Sequence, residues 1–148
     1  MDFNELINEV AEDMQTTTLK HTIIKEINVT QQIWADKDKI REVLINLISN
    51  AIKYSPDADK IIITAETDDT SLTISVKDFG IGLTKKDQDK LFQRFFRVND
   101  STVNTFPGLG LGLYICQEII KKHNGTIWVA SDKQHGSKFY FKLPLVTT

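Results

Sequence analysis

Four groups of residues combine types and spacings that can do chemistry. Asn46, Asn50 and Lys53 sit in a run otherwise dominated by Ile, Leu, Val and Ala, with Glu42 one turn ahead. Residues four apart stack on one helical face, so these make a narrow polar stripe. A single buried Asn is most simply a satisfied core or capping amide. Two at this spacing, beside a lysine, better suit a hydrated cation and phosphates: Mg²⁺ takes oxygen ligands while keeping several waters, and lysine neutralises phosphate charge. In Asp78-Phe79-Gly80-Ile81-Gly82-Leu83 a carboxylate closes a strand and two glycines follow. An ionised carboxylate only accepts hydrogen bonds, so Asp78 can select an exocyclic amino group such as that of adenine. The same residues would also make an Asx turn after a strand. Arg94 and Arg97 flank Phe95 and Phe96; an arginine here can meet charge developing on a γ-phosphate, or lie on the surface of an amphipathic turn. Gly108-Leu109-Gly110-Leu111-Gly112-Leu113 leads straight into a helical pattern. Glycine lets another group approach the backbone, and a helix N-terminus attracts anions. The spacing is not GxxxxGK[ST], and by itself a tight turn explains it equally well.

The elements that must position these groups follow from periodicity. Phe3, Leu6, Ile7, Val10 and Met14 have helical spacing, giving a surface helix over about 3–18. His21 to Val29 is rich in β-branched residues and reads as a strand, with a short second strand at Gln32-Ile33-Trp34 pairing with it as a hairpin; His21 itself reads as an exposed polar position at the strand's start. Asp36 is placed to N-cap a helix over 37–54, whose Ile45 and Ile52 suggest burial on a second flank. Strands are expected over 61–67 and 72–78, then a short helix over 87–92. Val98 to Pro107 is too long for a routine connector and has the length of a lid. A helix follows through Lys122, stopped by His123-Asn124-Gly125, and two strands over 126–130 and 137–143 form a closing hairpin around His135-Gly136. The expected fold is an α/β two-layer sandwich: a mixed, mostly antiparallel sheet of five to six strands with three main helices on one face.

Length and composition limit the alternatives. The chain has 148 residues, 41% apolar and 26% charged, with formal net charge −2. That suits one domain and provides no basic field for nucleic acid. Cys116 is the one cysteine; it reads as a plain buried thiol, consistent with a reducing, cytoplasmic compartment. The three histidines lack ligand spacing for zinc. No apolar run approaches the roughly 18 residues of a membrane span, and the acidic start resembles no signal peptide. A chain that opens almost at once in an amphipathic helix is expected of a domain belonging to a longer protein, itself monomeric.

Together the motifs resemble the sensor histidine kinases. Asn46-Leu47-Ile48-Ser49-Asn50-Ala51-Ile52-Lys53-Tyr54-Ser55 is similar to their N box, and Asp78-Phe79-Gly80-Ile81-Gly82-Leu83 to their first glycine box. Leu91-Phe92-Gln93-Arg94-Phe95-Phe96-Arg97 resembles their F box, Gly108 to Leu113 their second glycine box, and Gly136-Ser137-Lys138-Phe139-Tyr140-Phe141-Lys142-Leu143-Pro144 their closing strand. Four boxes in order, over nearly the whole chain, make the match specific. The resemblance implies the Bergerat fold of the histidine kinase, DNA gyrase and heat-shock chaperone ATPases, with ATP and Mg²⁺ as cofactors. By carry-over Asp78 would bind the adenine amino group, Asn50 would hold Mg²⁺, and Asn46 would lie near metal and phosphates. Lys53 would face phosphates and Tyr54 the adenine. Gly80, Ile81, Gly82 and Ser137 would shape the base pocket. Gly108, Leu109, Gly110, Leu111, Gly112 and Leu113 would form the phosphate cradle under the lid. Arg97, more than Arg94, would contact the γ-phosphate.

One position divides the wider family. Its ATP-hydrolysing members and its anti-sigma-factor serine kinases typically carry a general-base Glu four residues before the metal-binding Asn. Here that residue is Asn46, which takes no proton. Asn46 therefore favours a histidine acceptor, itself a nitrogen nucleophile, over water or serine. The kinases' phosphoacceptor box, a His followed by an acidic residue and an Arg-x-Pro-like run, is matched by none of His21, His123 or His135. The expected partners are thus a phosphoacceptor and dimerisation domain N-terminal to Met1 or on another chain, and a response regulator downstream. A stand-alone serine kinase and a nucleotide-sensing docking module without catalysis are the alternatives.

Overall fold

The computed structural model describes residues 1–93, 112–131 and 135–145. The lid expectation, with Arg94, Arg97, Gly108, Leu109, Gly110 and Leu111, falls outside them. In chain order the elements are α1 (Phe3–Gln15), β1 (Thr22–Ile27), α2 (Lys37–Lys53), β2 (Lys60–Thr67), β3 (Ser71–Asp78), α3 (Lys85–Lys90), α4 (Gly112–Lys122), β4 (Thr126–Ser131) and β5 (Ser137–Pro144).

The strands form one five-stranded sheet, ordered β1-β2-β3-β5-β4. Three pairings are antiparallel and β1–β2 is parallel. The parallel pair follows from connectivity. The link between β1 and β2 contains α2, and parallel neighbours need such a crossover. Alternation along the strands then sets the layers. Ile61, Ile63 and Ala65 of β2, Leu72, Ile74 and Val76 of β3, and Phe139, Phe141 and Leu143 of β5 are buried. Against them pack Leu6, Ile7 and Val10 of α1, Ile40, Val43, Leu44, Leu47 and Ile48 of α2, and Ile119 and Ile120 of α4. The two-layer sandwich with three main helices on one face is thus observed.

Local chemistry explains the boundaries. Asp2 caps α1, its carboxylate accepting from Glu5 N–H at 3.1 Å. Asp36 caps α2 by accepting from the Asp38 and Lys39 N–H groups at 3.1 and 3.2 Å. At the end of α4, Asn124 takes the left-handed conformation (φ 60°) and Gly125 N–H returns to Ile120 C=O at 2.9 Å. A Cβ on Gly125 would lie 2.2 Å from the Lys142 carbonyl. Glycine stands there for that approach, while Asn124 supplies the turn.

Three expectations need correction. Residues 32–34 form no strand and no hairpin with β1. The parallel β2 takes that edge, and this segment turns back onto α1: Ile33 is buried, Ile33 N–H donates to Met1 C=O, and Val29 exchanges hydrogen bonds with the Asn4 amide. His21 is buried, not exposed. Its Nδ1 lies 2.8 Å from Thr18 Oγ1 and its Nε2 2.7 Å from the Ser55 carbonyl. It braces the end of α2 against the start of β1. Ile45 is 38% exposed, so the second flank of α2 is open at that turn and only half-covered at Ile52.

Candidate functional site

The first glycine box folds onto the C-terminus of α2. Tyr54, the C-cap of α2, offers its carbonyl to Ile81 N–H at 3.2 Å. A Cβ on Gly80 would sit 1.9 Å from that same carbonyl. No side chain fits there, so Gly80 is fixed by contact and Gly82 by its positive φ of 69°. The box thereby holds Asp78 at the end of β3, against the helix that carries Asn46, Asn50 and Lys53.

Asp78 is 1% exposed. Its Oδ1 accepts from both Gly80 N–H (3.0 Å) and Ser137 N–H (3.2 Å). Among the described residues no group donates to Oδ2. One oxygen is clamped by backbone, and the described residues leave the other to receive a further donor. Burial raises the Asp78 pKa to about 6, against the opposing pull of the Gly80 and Ser137 N–H groups and the nearby Lys77 charge. At neutral pH the carboxylate is ionised, so Oδ2 is a strong, directed acceptor suited to an amino group.

A second set of contacts holds this clamp. Gly136, directly before β5, has φ 87°, and a Cβ there would lie 2.2 Å from the Asp78 carbonyl. Ser131 Oγ accepts from Leu83 N–H at 2.8 Å, donates to Gly136 C=O at 2.8 Å, and stands 2.9 Å from Ser137 Oγ. Gln88 of α3 donates to both the Leu83 and Ser131 carbonyls, at 3.1 and 2.9 Å. Sequence reasoning missed Ser131, Gly136 and Gln88 as site residues. Gly136 carried a usable signal, a glycine between strands directly ahead of Ser137. Ser131 carried none, because its role depends on its pairing with Ser137 across the hairpin.

On the other side, Asn46, Asn50 and Lys53 are all half-buried along α2. An ideal Cβ on Gly112, the first residue of α4, would be 3.2 Å from Asn46 Oδ1. The amide therefore lies beside the start of the helix that ends the second glycine box. The Lys53 ammonium lies 5.7 Å from the Tyr54 ring centroid, and Leu113 packs against the core. Cys116, beneath Asn46, is fully buried, and burial pushes its thiol up to about 12; it is the inert thiol expected. The structure thus joins Asp78, Gly80, Ile81, Gly82, Tyr54 and Ser137 at one end, and Asn46 and Gly112 at the other. Asn50 and Lys53 lie on the helix between.

A buried carboxylate with one oxygen that no described residue donates to, reached past a glycine turn and a stripe of amides and lysine, defines a nucleotide-binding domain of the α/β sandwich type. Comparison with known proteins agrees. Residues 35–147 match the family of histidine kinase-, DNA gyrase B- and HSP90-like ATPases, and the chain belongs to it. The chain is 44% identical to the sensor histidine kinase WalK of Bacillus subtilis over 111 residues, 74% of this chain and 18% of that protein. It is 35% identical to WalK of Staphylococcus aureus over 147 residues, 97% of this chain and 24% of that one. It therefore spans only about a fifth to a quarter of these relatives' length. Among solved structures, the mycobacterial sensor histidine kinase MprB superposes with TM-score 0.84 at 25% identity, covering 100% of this chain and 99% of that one. The nucleotide-free catalytic domain of histidine kinase ThkA superposes with TM-score 0.83 at 33% identity, covering 99% and 96%. The fold is that of histidine kinase catalytic domains.

Proposed function

We propose that this chain binds Mg·ATP and positions its γ-phosphoryl group for transfer to a histidine on a separate phosphoacceptor and dimerisation domain, in two-component signalling. The carrying observation is the Asp78 carboxylate, clamped at Oδ1 and without a donor at Oδ2 among the described residues. Oδ2 receives the adenine 6-amino group, a pairing that rejects guanine, whose 6-oxygen would face the carboxylate. Gly80 and Gly82 allow the flat base to approach, and Tyr54 lies along it. The half-buried Asn50 carbonyl fits an oxygen-seeking divalent cation, with Asn46 beside the phosphates and Lys53 opposite their charge. Bound there, Mg²⁺ would neutralise phosphate charge during transfer. Gly112, with Gly108 and Gly110 before it, lines the phosphates, and Arg97 is the candidate γ-phosphate contact.

What the chain contributes is orientation and electrostatics, which suits phosphoryl transfer. Asn46 supports a histidine acceptor because no carboxylate stands where a general base for water or serine would. Glu42 lies one turn further along α2, near Lys39 at 4.0 Å. The solved complex of ThkA with the response regulator TrrA, whose kinase this chain matches at 31% identity and TM-score 0.79, supports a response regulator as downstream partner. The domain would then work on the cytoplasmic side, where such regulators and ATP are found.

The test is a thermal-shift titration of ATP, with and without Mg²⁺, into wild type, Asp78→Asn and Asn50→Ala, extended to millimolar nucleotide. Wild type should be stabilised by ATP and more by Mg·ATP. Asp78→Asn should lose both responses and Asn50→Ala only the increment due to Mg²⁺. A wild type indifferent to nucleotide would defeat the proposal.

A further inference from the structure

The sheet face turned away from the helices carries a second concentration of charge. Lys77 of β3 and Lys138 of β5 are directly opposite each other in the antiparallel register. Like charges so placed repel and destabilise a sheet. Lys77 Nζ lies 4.9 Å from the Phe79 ring centroid, as does Lys60 Nζ, and Lys138 Nζ lies 5.1 Å from the Tyr140 centroid. Tyr140 in turn stacks on Trp128, with centroids 5.0 Å apart and planes 6° apart. The rings hold these ammonium groups in place, but they do not neutralise them. Among the described residues no carboxylate lies within ion-pair distance of Lys60, Lys77, Lys85 or Lys138.

Lys77, Lys85, Lys138 and His135 line a cavity of about 750 Å³ together with Gln88 and Tyr140. Its described lining contains no acidic residue. The volume falls in the range of roughly 300–1,000 Å³ typical of small-molecule sites. A solvated charged face would spread its lysines or alternate them with acids, as exposed faces usually do. Here they converge on a concavity, with Lys77 and Lys138 in a register that costs stability.

We propose that this cavity is a second ligand site, which takes a small, multiply charged phosphate compound on the face of the sheet opposite Asp78. Lys77, Lys85 and Lys138 supply the charge, and Tyr140 supplies a hydroxyl beside it. The occupant shares two strand ends with the first site: Lys77 precedes Asp78, and Lys138 follows Ser137, whose N–H holds Asp78 Oδ1. An acidic protein segment is the competing occupant. Concavity and volume favour the small ligand.

The test uses inorganic tripolyphosphate without Mg²⁺, titrated into the isotopically labelled chain and followed by amide NMR shifts. The amides of Lys77, Lys85, Lys138 and Tyr140 should move and saturate as a group. Any response at Asn46, Asn50 and Gly112 reports the other site and is scored separately. Lys77→Gln and Lys138→Gln remove one partner of the repelling pair, so each should melt no lower than wild type. Each should weaken the first group's response about tenfold, the loss expected for one charge-assisted contact, and leave the second group's unchanged. Shifts confined to the second group would overturn the proposal, as would first-group shifts undiminished in both variants. Tighter binding of a polyglutamate peptide to the same amides would replace it with an acidic protein partner.

Discussion

At the scale of single residues, Asp78 trades stability for recognition. Its folded pKa, about 6, lies above the 3.8 of an unperturbed carboxyl because burial disfavours the charge. As pH rises through that window the unfolded chain loses its proton first, so the folded state loses stability between about pH 4 and 6 and keeps the deficit above it. The deficit is on the order of 2 to 3 kcal/mol. Asparagine has nearly the same shape, can accept at Oδ1 from Gly80 and Ser137, and carries no charge. Asp78→Asn should therefore melt several degrees higher than wild type at pH 7.5 and lose this advantage near pH 4. Its new NH₂ would face the adenine amino group donor to donor, so ATP affinity should fall at least tenfold. Calorimetry in both buffers with nucleotide titration checks this; a variant both less stable and unable to bind would mean that Asp78 is mainly structural. Ser131 makes the complementary case. Ser131→Ala leaves Leu83 N–H without its acceptor, which should cost about 1 to 2 kcal/mol. It also loosens the Ser137 end of the clamp, so chemical denaturation and ATP titration should both register the change.

At the scale of elements, α2 carries the amide stripe, and both of its ends are held by side chains distant in sequence. Asp36 caps the start, and its own N–H donates to His123 Nε2 at 3.1 Å, tying α2 to the end of α4. His21 braces the far end through Ser55 C=O. His21→Ala would open a cavity and remove the imidazole hydrogen bonds to the Ser55 carbonyl and Thr18 Oγ1, costing about 2 to 4 kcal/mol. Tyr54 immediately precedes Ser55 and receives Ile81 N–H, so ATP affinity should fall with it; a urea melt with nucleotide titration tests both. The bracing also shows what sequence periodicity can reveal. The apolar arc of α2, the alternation of β3 and β5, and the Asp-x-Gly-x-Gly turn are local patterns, and the structure confirms them. The burial of His21, the parallel edge of β1 and the Ser131 contacts depend on groups tens of residues away. A β-branched run before a turn-rich segment looks like half a hairpin until α2 claims the space for a crossover. The placing of Asn46 beside Gly112 lies between these cases: each residue is recognisable in the sequence, but their adjacency requires α2 to pack on α4.

At the scale of the whole molecule, the proposed transfer raises the question of which histidine would receive the phosphoryl group. Each of the three in this chain is poorly suited. His21 is buried and engaged at both ring nitrogens. His123 is also engaged at both: Nδ1 lies 2.8 Å from Ile119 C=O, and Nε2 accepts from Asp36 N–H. His135 is exposed, but it lines the cavity on the sheet face away from the helices, whereas the α2 stripe lies on the helical side. Phosphorylating either engaged histidine would first require breaking its hydrogen bonds, and reaching His135 would require the phosphoryl group to pass round the sheet. The chain should therefore bind ATP without phosphorylating itself. Incubation with γ-labelled ATP and Mg²⁺ should leave it unlabelled, while adding a dimerisation domain from a related kinase should give a base-stable, acid-labile phosphoprotein carried by the added domain. Asp78→Asn should abolish that label. His135→Gln should leave it unchanged, because His135 belongs to neither reaction partner. Acid-labile label appearing on this chain alone and vanishing in His135→Gln would instead place the acceptor on the closing hairpin and require the phosphates to lie on the open side of the sheet.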